Sequence, residues 1–474
     1  MEHIRQQIRD YLQKNREAIV NECMALIRIP SVRDEAAQHA PYGKACADVL
    51  DHTQALFSSY GFSSEISTEG GYLLSSHGQG DHSIGLFAHA DVVPAGDNWT
   101  LTRPFDPAVI NGCIVGRGAL DDKSAVVASL HAAHIIRDLA LPFHSRLIMF
   151  VGSAEESGMD DIRHYIRTQT PPDFALVPDT AFPLYRGNKG RILMHIKRNA
   201  PLGEIRRFCG GKSGTNVGYA EAVLPYREDL YAYLLPFASD SIVIRQTGDG
   251  ILVTAKGIEK HSALPDGSVN AAALIAGLLR SCGFVTEETR NICAFLYDIC
   301  SDYHGGTLGI ANDDAEFGPL TFVHYRIDAG ETSAALDFNI RLGASADADV
   351  MKQTLRDRFA EYGFSMEISS ESYPHSVPAD HPVLRAMITT YEAVTGTQNA
   401  PMYVNAGGTY GQYLPCAAEI GTTMRWNRPA DLPVGHGAVH QPDEWISIDG
   451  LLDAIEMTVL MLLSCDNAME ESTK

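Results

Sequence analysis

Four segments of this sequence carry, at one end, side chains able to hold a cation. Ser83–Ala88 (SIGLFA) runs into His89-Ala90-Asp91, Arg146–Val151 (RLIMFV) into Gly-Ser-Ala-Glu155-Glu156, and Phe174–Val177 into Pro178-Asp179. Asp121-Asp122-Lys123 stands immediately before an apolar stretch with helical spacing, SAVVASLHAAHIIRDL. Each piece has a plainer reading. An Asp near a His can simply accept its hydrogen bond, and an Asp pair before a helix can cap free amides. Two glutamates on a loop can be a solvated pair, and an Asp after Pro can start a turn. Their convergence on one rim changes the balance, because gathered carboxylates repel one another and need cations to offset them.

Imidazole and carboxylates without thiolate suit a pair of Zn, Mn or Co ions with one carboxylate shared between them. Such a pair lowers the pKa of a water and polarises a carbonyl. A free carboxylate beside that water must take its proton, which accounts for two adjacent glutamates, one as ligand and one as base. Asp91, two residues after His89, is placed to orient the imidazole. The nine cysteines form no CxxC pair, so neither a disulfide framework nor a Cys-rich zinc site is expected. Any metal must be held by His and carboxylates.

The elements that position these groups alternate between residues 84 and 180. Short apolar runs and helical periods follow one another as in βαβ units, and ligands of open α/β sheets gather at the carboxyl ends of the strands. A short helix is expected over Asp160–Arg167, and the tail returns to the same style with helices at Val383–Val394 and Gly450–Leu463. Between them the pattern shifts to alternating strands (Ile251–Ala255, Ala335–Arg341), a helix at Asn270–Ser281, and extended loops around Gly210–Gly214 and Gly305–Gly318. The expectation is an α/β domain formed by residues 1–186 and 381–474, with an α+β domain, 187–380, inserted into it. A chain of 474 residues exceeds one ordinary core, which agrees with two domains.

Lys and Arg total 37 against 59 Asp and Glu, a net charge of -22. That field disfavours nucleic acid and anionic lipid as partners. The start is charged throughout, with Ile4, Ile8, Tyr11, Leu12 and Ile19 near helical spacing, and it lacks an apolar core of signal-peptide length. No apolar run approaches the ~18 residues of a membrane span. A cytoplasmic protein that acts on a small substrate is expected.

Several strings in this chain resemble the M20 family of metallopeptidases: IRIPSV (27–32), HADVVPAGDNW (89–99), GRGALDDKSA (116–125), GSAEESG (152–158) and VPDTAFP (177–183). KGIEKHSALPDGSVNAA (256–272), NAGGTYGQ (405–412) and VHQPDEWISIDGLL (439–452) follow in the family's order. DVVPAG before a Trp, the DDK triplet, GGTYG and the His-Gln-Pro-Asp-Glu stretch look most like the bacterial PepV-type and Sapep-type dipeptidases. The resemblance implies a mixed-sheet zinc-peptidase catalytic domain with an inserted lid domain. It also implies two divalent ions, foremost Zn, with His89 and Asp179 on one, Glu156 and His440 on the other, and Asp121 bridging. Glu155 would be the general base, and His261 of the lid would stabilise the oxyanion. Arg341, in DFNIRLG, would pair with the substrate's terminal carboxylate. Asn216 and the Gly407-Gly408-Thr409 backbone would be further substrate contacts.

Dipeptide hydrolysis is the activity implied, with N-acyl amino acid deacylation (deacetylase or desuccinylase type) as the alternative in the same family. A metal-binding protein without activity would have no need of Glu155. Two departures bear on selectivity: Leu120 is bulkier than the usual Ala before the Asp pair, and Asn188 stands where the subgroup often has Glu. A long lid of doubled size would let one chain complete its own site, so a monomer is expected.

Overall fold

The computed structural model describes residues 2–472. The chain divides into two compact units, Met1–Asn188 with Ser376–Lys474, and Lys189–His375. No helix among the described residues is long and apolar enough to cross a membrane.

The first unit is built on a mixed sheet. Its strands lie in the order Ser64–Ser67, Tyr72–His77, Arg146–Gly152, Ser83–His89, Phe174–Thr180, Ala417–Gly421, Tyr185–Asn188. The four central members, from Arg146–Gly152 to Ala417–Gly421, run parallel, and the strands outside them are antiparallel. The centre is apolar on both faces, as Leu86, Phe87, Met149, Phe150, Leu176 and Val177 are all buried, so these strands read as continuous apolar runs without alternation. Because they are parallel, their carboxyl ends share one rim. Register puts His89 beside Gly152, and Thr180 beside Gly421.

Helix Lys123–Asp138 lies against this sheet with almost every side chain buried. Helix Ile448–Ser472 packs on it. The amphipathic start forms a helix, Glu2–Ile27, that buries Ile8, Tyr11, Leu12, Ile19 and Val20. The tail helix Pro382–Thr395 begins on Pro382 and ends on Gly396, whose φ of 76° is the left-handed conformation that suits Gly after a helix.

The second unit holds one antiparallel sheet of eight strands, ordered Ile242–Thr247, Gly250–Lys256, Tyr219–Leu224, Arg207–Gly211, Thr321–Ala329, Ala334–Leu342, Gly190–Arg198, Ser365–Ser372. Helices Ala271–Leu279, Glu287–Ser301 and Ala348–Ala360 supply apolar faces to its core. The loop expected around Gly210–Gly214 is in part a strand, since Gly210 pairs with both neighbours, Ala220 and Ile327, and Gly211 with Arg326. A Cβ on Gly210 would lie 2.4 Å from the Tyr219 carbonyl oxygen. Glycine here permits close approach of backbones and does not mark a turn.

Candidate metal centre

The rim of the parallel strands brings five side chains together. His89 Nε2 lies 3.1 Å from Asp121 Oδ1 and 3.9 Å from Asp179 Oδ1. His440 Nε2 lies 3.2 Å from Asp121 Oδ2 and 2.9 Å from Glu156 Oε1. The result is two triads, His89–Asp121–Asp179 and Asp121–Glu156–His440, with the donor atoms of each within 4.8 Å of one another. Asp121 belongs to both, offering one oxygen to each.

Electrostatics shows what this arrangement demands. Burial, and then neighbouring carboxylates, push Asp179 well above the usual carboxylate range and raise Glu156 as well. Burial also opposes charge on Asp121, but hydrogen bonds from His440 and His89 hold it low. Burial lowers both imidazoles, yet the carboxylates win, raising His440 to about 10 and His89 well above its ordinary value. The counter-charge to these acids thus comes from the imidazoles. A set of two imidazoles and three carboxylates, so hungry for positive charge, fits divalent cations.

The supporting contacts are specific. His89 Nδ1 faces the Asp91 carbonyl oxygen at 3.0 Å. A carbonyl can only accept, so Nδ1 carries a proton, and Nε2, which faces Asp121, is the nitrogen that would be free to hold a metal ion. The Asp91 carboxylate lies 3.4 Å from the same Nδ1. It also accepts the N–H groups of Glu155 and Glu156, each at 3.1 Å. Asp91 therefore fixes both the His89 imidazole and the two-glutamate loop. Glu155 is buried, and burial first, then Asp179, Glu156 and Asp121, raises its carboxyl well above the ordinary value despite the opposing pull of His89. A carboxylate so placed is a ready proton acceptor.

Asp122 occupies the N-cap of helix Lys123–Asp138 without capping it. Its Oδ2 instead accepts the His89 N–H at 3.2 Å, tying the helix start to the strand end.

Four residues not singled out from the sequence hold the site. Glu444 Oε1 accepts the N–H groups of Gly118, Leu120 and Asp121, and its other oxygen pairs with buried Arg117. Its neighbour Asp443 accepts from Thr100 N, Leu101 N, Thr100 Oγ1 and His436 Nδ1, anchoring the loop that carries His440. Asp161 accepts the N–H groups of Ser153 and Ala154 at 2.8 Å, and the Tyr410 hydroxyl donates to it at 2.5 Å. Glu419 accepts from Thr409 Oγ1 and Asn405 Nδ2. Asp443 and Glu444 lie within the VHQPDEW string, the one signal that could have found them.

The remaining expected residues stand as follows. Thr409 caps a short 3-10 turn, accepting from Gly411 N, and Gly407 N donates to Asn405 Oδ1. Both contacts order the Gly407-Gly408 backbone beside Glu419. In the second unit, Asn216 is committed to backbone: Nδ2 donates to the Ile258 carbonyl and Oδ1 accepts from Lys260 N. It braces the segment that carries His261, which is itself bridged to Thr215. Arg341 sits on the strand Ala334–Leu342, 5% exposed, with its Nε unpartnered. Burial and nearby Arg191 depress its basicity. A buried, underpartnered guanidinium suits an incoming carboxylate.

Comparison with known proteins agrees with this geometry. A Bacillus subtilis (strain 168) protein provisionally named dipeptidase YtjP is 29% identical over 461 residues, spanning 93% of this chain and 95% of that one. Among solved structures, human carnosine dipeptidase 1 matches 98% of this chain and 99% of its own, with a TM-score of 0.61 at 13% identity. The Bacillus subtilis YXEP protein, described as a dinuclear metal binding peptidase, matches 95% of this chain and 98% of its own, with a TM-score of 0.51 at 12% identity. The model of peptidase family M20/M25/M40 spans residues 85–464, so the rim of acids and imidazoles described above belongs to a member of that family, a hydrolase of peptide bonds.

Proposed function

We propose that the protein is a dinuclear metal-dependent dipeptidase. The observation that carries the reading is Asp121, whose two carboxylate oxygens face the two histidines, Oδ1 toward His89 and Oδ2 toward His440. A carboxylate so divided would serve as the shared ligand of a two-ion site. His89 and Asp179 would hold one ion, Glu156 and His440 the other, with Zn foremost and Mn or Co as alternatives. When bound, the ions supply a more acidic water and a polarised scissile carbonyl.

The chain's own residues do the rest. Glu155 takes the proton from the attacking water as the new C–O bond forms, and returns it to the leaving amine as the tetrahedral intermediate collapses and the amide C–N bond breaks. Asp91 keeps Glu155, Glu156 and His89 in register for that transfer. The reading assigns His261 to the developing oxyanion, an electrostatic contribution worth about 2.7–4 kcal/mol in comparable sites. Arg341 is assigned to the carboxylate that ends the substrate, and the Gly407-Gly408-Thr409 backbone to further contact with it. Asn216 serves His261 by bracing residues 258–260. The chain is proposed to act as a monomer. Support for dipeptides over acyl amino acids comes from the dipeptidase name of its full-length relative YtjP.

The test is a hydrolysis screen with Zn, Mn or Co, using dipeptides, β-alanyl dipeptides, tripeptides and N-acyl amino acids. Dipeptide turnover that a chelator abolishes and metal restores is the expected result, with two ions bound per chain by elemental analysis. Turnover confined to N-acyl amino acids would replace the dipeptidase by the deacylase, and undiminished turnover after metal removal would overturn both.

A further inference from the structure

A pocket of about 310 Å³ opens beside the metal centre, with Asp121 and Asp179 on one side. Its other walls are apolar and aromatic: Leu120, Tyr185, Trp426 and Val439, with Asn405 as a polar neighbour. These walls are held in place. Leu120 is fixed at both backbone groups, its N–H donating to Glu444 at 2.9 Å and its carbonyl accepting from Thr422 Oγ1 at 3.4 Å. The Tyr185 ring lies 5.3 Å from that of Tyr403. Trp426 meets buried Trp445 edge to face at 6.0 Å, yet is itself 58% exposed. An anchored indole left open to water at the mouth of a pocket is a surface that gains by being covered.

We propose that this pocket selects substrates bearing a bulky apolar side chain, of leucyl or phenylalanyl size, next to the scissile bond. The inference rests on the peptidase reading of the adjoining centre. A scissile amide held at Asp121 and Asp179 leaves its flanking side chain within reach of these walls. A pocket of this size is far from filled by a methyl group, while a branched or aromatic side chain covers Leu120, Tyr185 and Trp426 together. Neither lysine, arginine nor histidine is among the described residues that line it, so its side chains offer an acidic substrate side chain no cationic partner.

Two measurements test the assignment. In the first, the metal-loaded enzyme is assayed on Ala-Ala, Leu-Ala, Phe-Ala, Ala-Leu, Ala-Phe and Asp-Ala. The expected result is a kcat/KM for a bulky apolar residue, at one of the two positions, about tenfold or more above Ala-Ala. Trp426→Ala, and Ala181→Leu, which fills the pocket from another wall, should each collapse that ratio by roughly tenfold. In the second, the preferred peptide is titrated into metal-loaded Glu155→Gln protein, where the tryptophan emission should shift to the blue, and the shift should vanish when Trp426→Ala is added. A ratio unchanged in both variants, a preference for Asp-Ala, or no emission shift would overturn the pocket assignment while leaving dipeptide hydrolysis standing. A shift with no turnover of any peptide by the unsubstituted enzyme would instead overturn the peptidase reading and leave the pocket in place.

Discussion

Glu444 accepts a hydrogen bond from the backbone N–H of Asp121 at 3.1 Å, so the residue that both triads share is positioned by an acid 323 residues further along the chain. The same Oε1 takes the N–H groups of Gly118 and Leu120, and the second oxygen takes the guanidinium of Arg117, itself 1% exposed. Glu444→Gln keeps one acceptor oxygen but leaves Arg117 buried without its charge partner. Removing one member of a buried ion pair costs about 3–5 kcal/mol. A large fall in thermal midpoint is expected, together with metal affinity weakened about 10–100-fold, the usual consequence of losing a group that orients a ligand. Thermal unfolding and metal titration check both. A variant as stable as the parent, with unchanged metal affinity, would contradict the role given to Glu444.

The proposed function gives the neighbours Glu155 and Glu156 different tasks, and substitution should separate them. Glu155→Gln removes the proton acceptor while leaving Asp121, Glu156, Asp179 and both histidines in place. Turnover is expected to fall about 10²–10⁴-fold, the ordinary worth of a positioned general base, with two ions per chain still bound. Glu156→Gln should lose metal as well as turnover. Elemental analysis beside kcat decides it. Equal metal loss in both variants would mean that Glu155 also acts as a ligand.

The parts of this site legible in the sequence were those whose cause is local. His89, Asp179 and the Glu155-Glu156 loop each follow an apolar run too continuous to be anything but a buried strand, and strands of that kind end on a common rim. The helix after Asp121-Asp122 was equally clear, starting at Lys123. What sequence could not show was which acids hold other acids. Asp122 reads as a helix cap, but its carboxylate reaches across 33 residues to His89 N. Asp161 falls in the helix expected over Asp160–Arg167 with nothing to mark it, yet it accepts from Ser153 N, Ala154 N and Tyr410, the last 249 residues away. The resemblance implies a substrate contact at Asn216, and its hydrogen bonds to Ile258 and Lys260 leave no mark in the sequence. The strand at Arg207–Gly211 is hidden for a related reason, since Gly210 answers to Tyr219 and Ala220 on one neighbouring strand and Gly211 to Tyr325 on the other.

His324, in the core of the second unit, gives the protein an acid-sensitive feature unrelated to metal. Its Nδ1 accepts from Asn270 Nδ2 at 3.3 Å, its Nε2 has no partner, and burial pushes its pKa from 6.5 down to about 3. A depressed pKa means that the unfolded chain binds a proton more readily than the folded one between those two values. The contribution to stability is therefore complete above pH 6.5 and lost as pH falls toward 3, on the order of a few kcal/mol. Replacing the ring by an apolar side chain, His324→Leu, removes this proton-linked loss and the unpartnered Nε2. Urea unfolding measured from pH 7 downward should show a shallower acid limb in the variant, and an identical slope would argue against His324 as a source of acid lability.

Gly152 connects the strand Arg146–Gly152 to the glutamate loop at a point where no side chain fits. A Cβ there would lie 1.8 Å from the Tyr410 hydroxyl and 2.3 Å from Asp161 Oδ2. Those two atoms are hydrogen-bonded to each other, and Asp161 in turn holds Ser153 N and Ala154 N. Gly152→Ala must therefore push apart the contacts that shape the turn into Glu155 and Glu156. Overpacking of this kind costs about 1–3 kcal/mol or more, and the displaced loop should lower metal occupancy at the Glu156–His440 side. Tyr410→Phe removes the nearest clashing atom, so in the double variant part of the lost stability should return, more than the two single effects would sum to. Strict additivity in thermal unfolding would show that the clash is relieved elsewhere and that Tyr410 does not set the requirement for glycine.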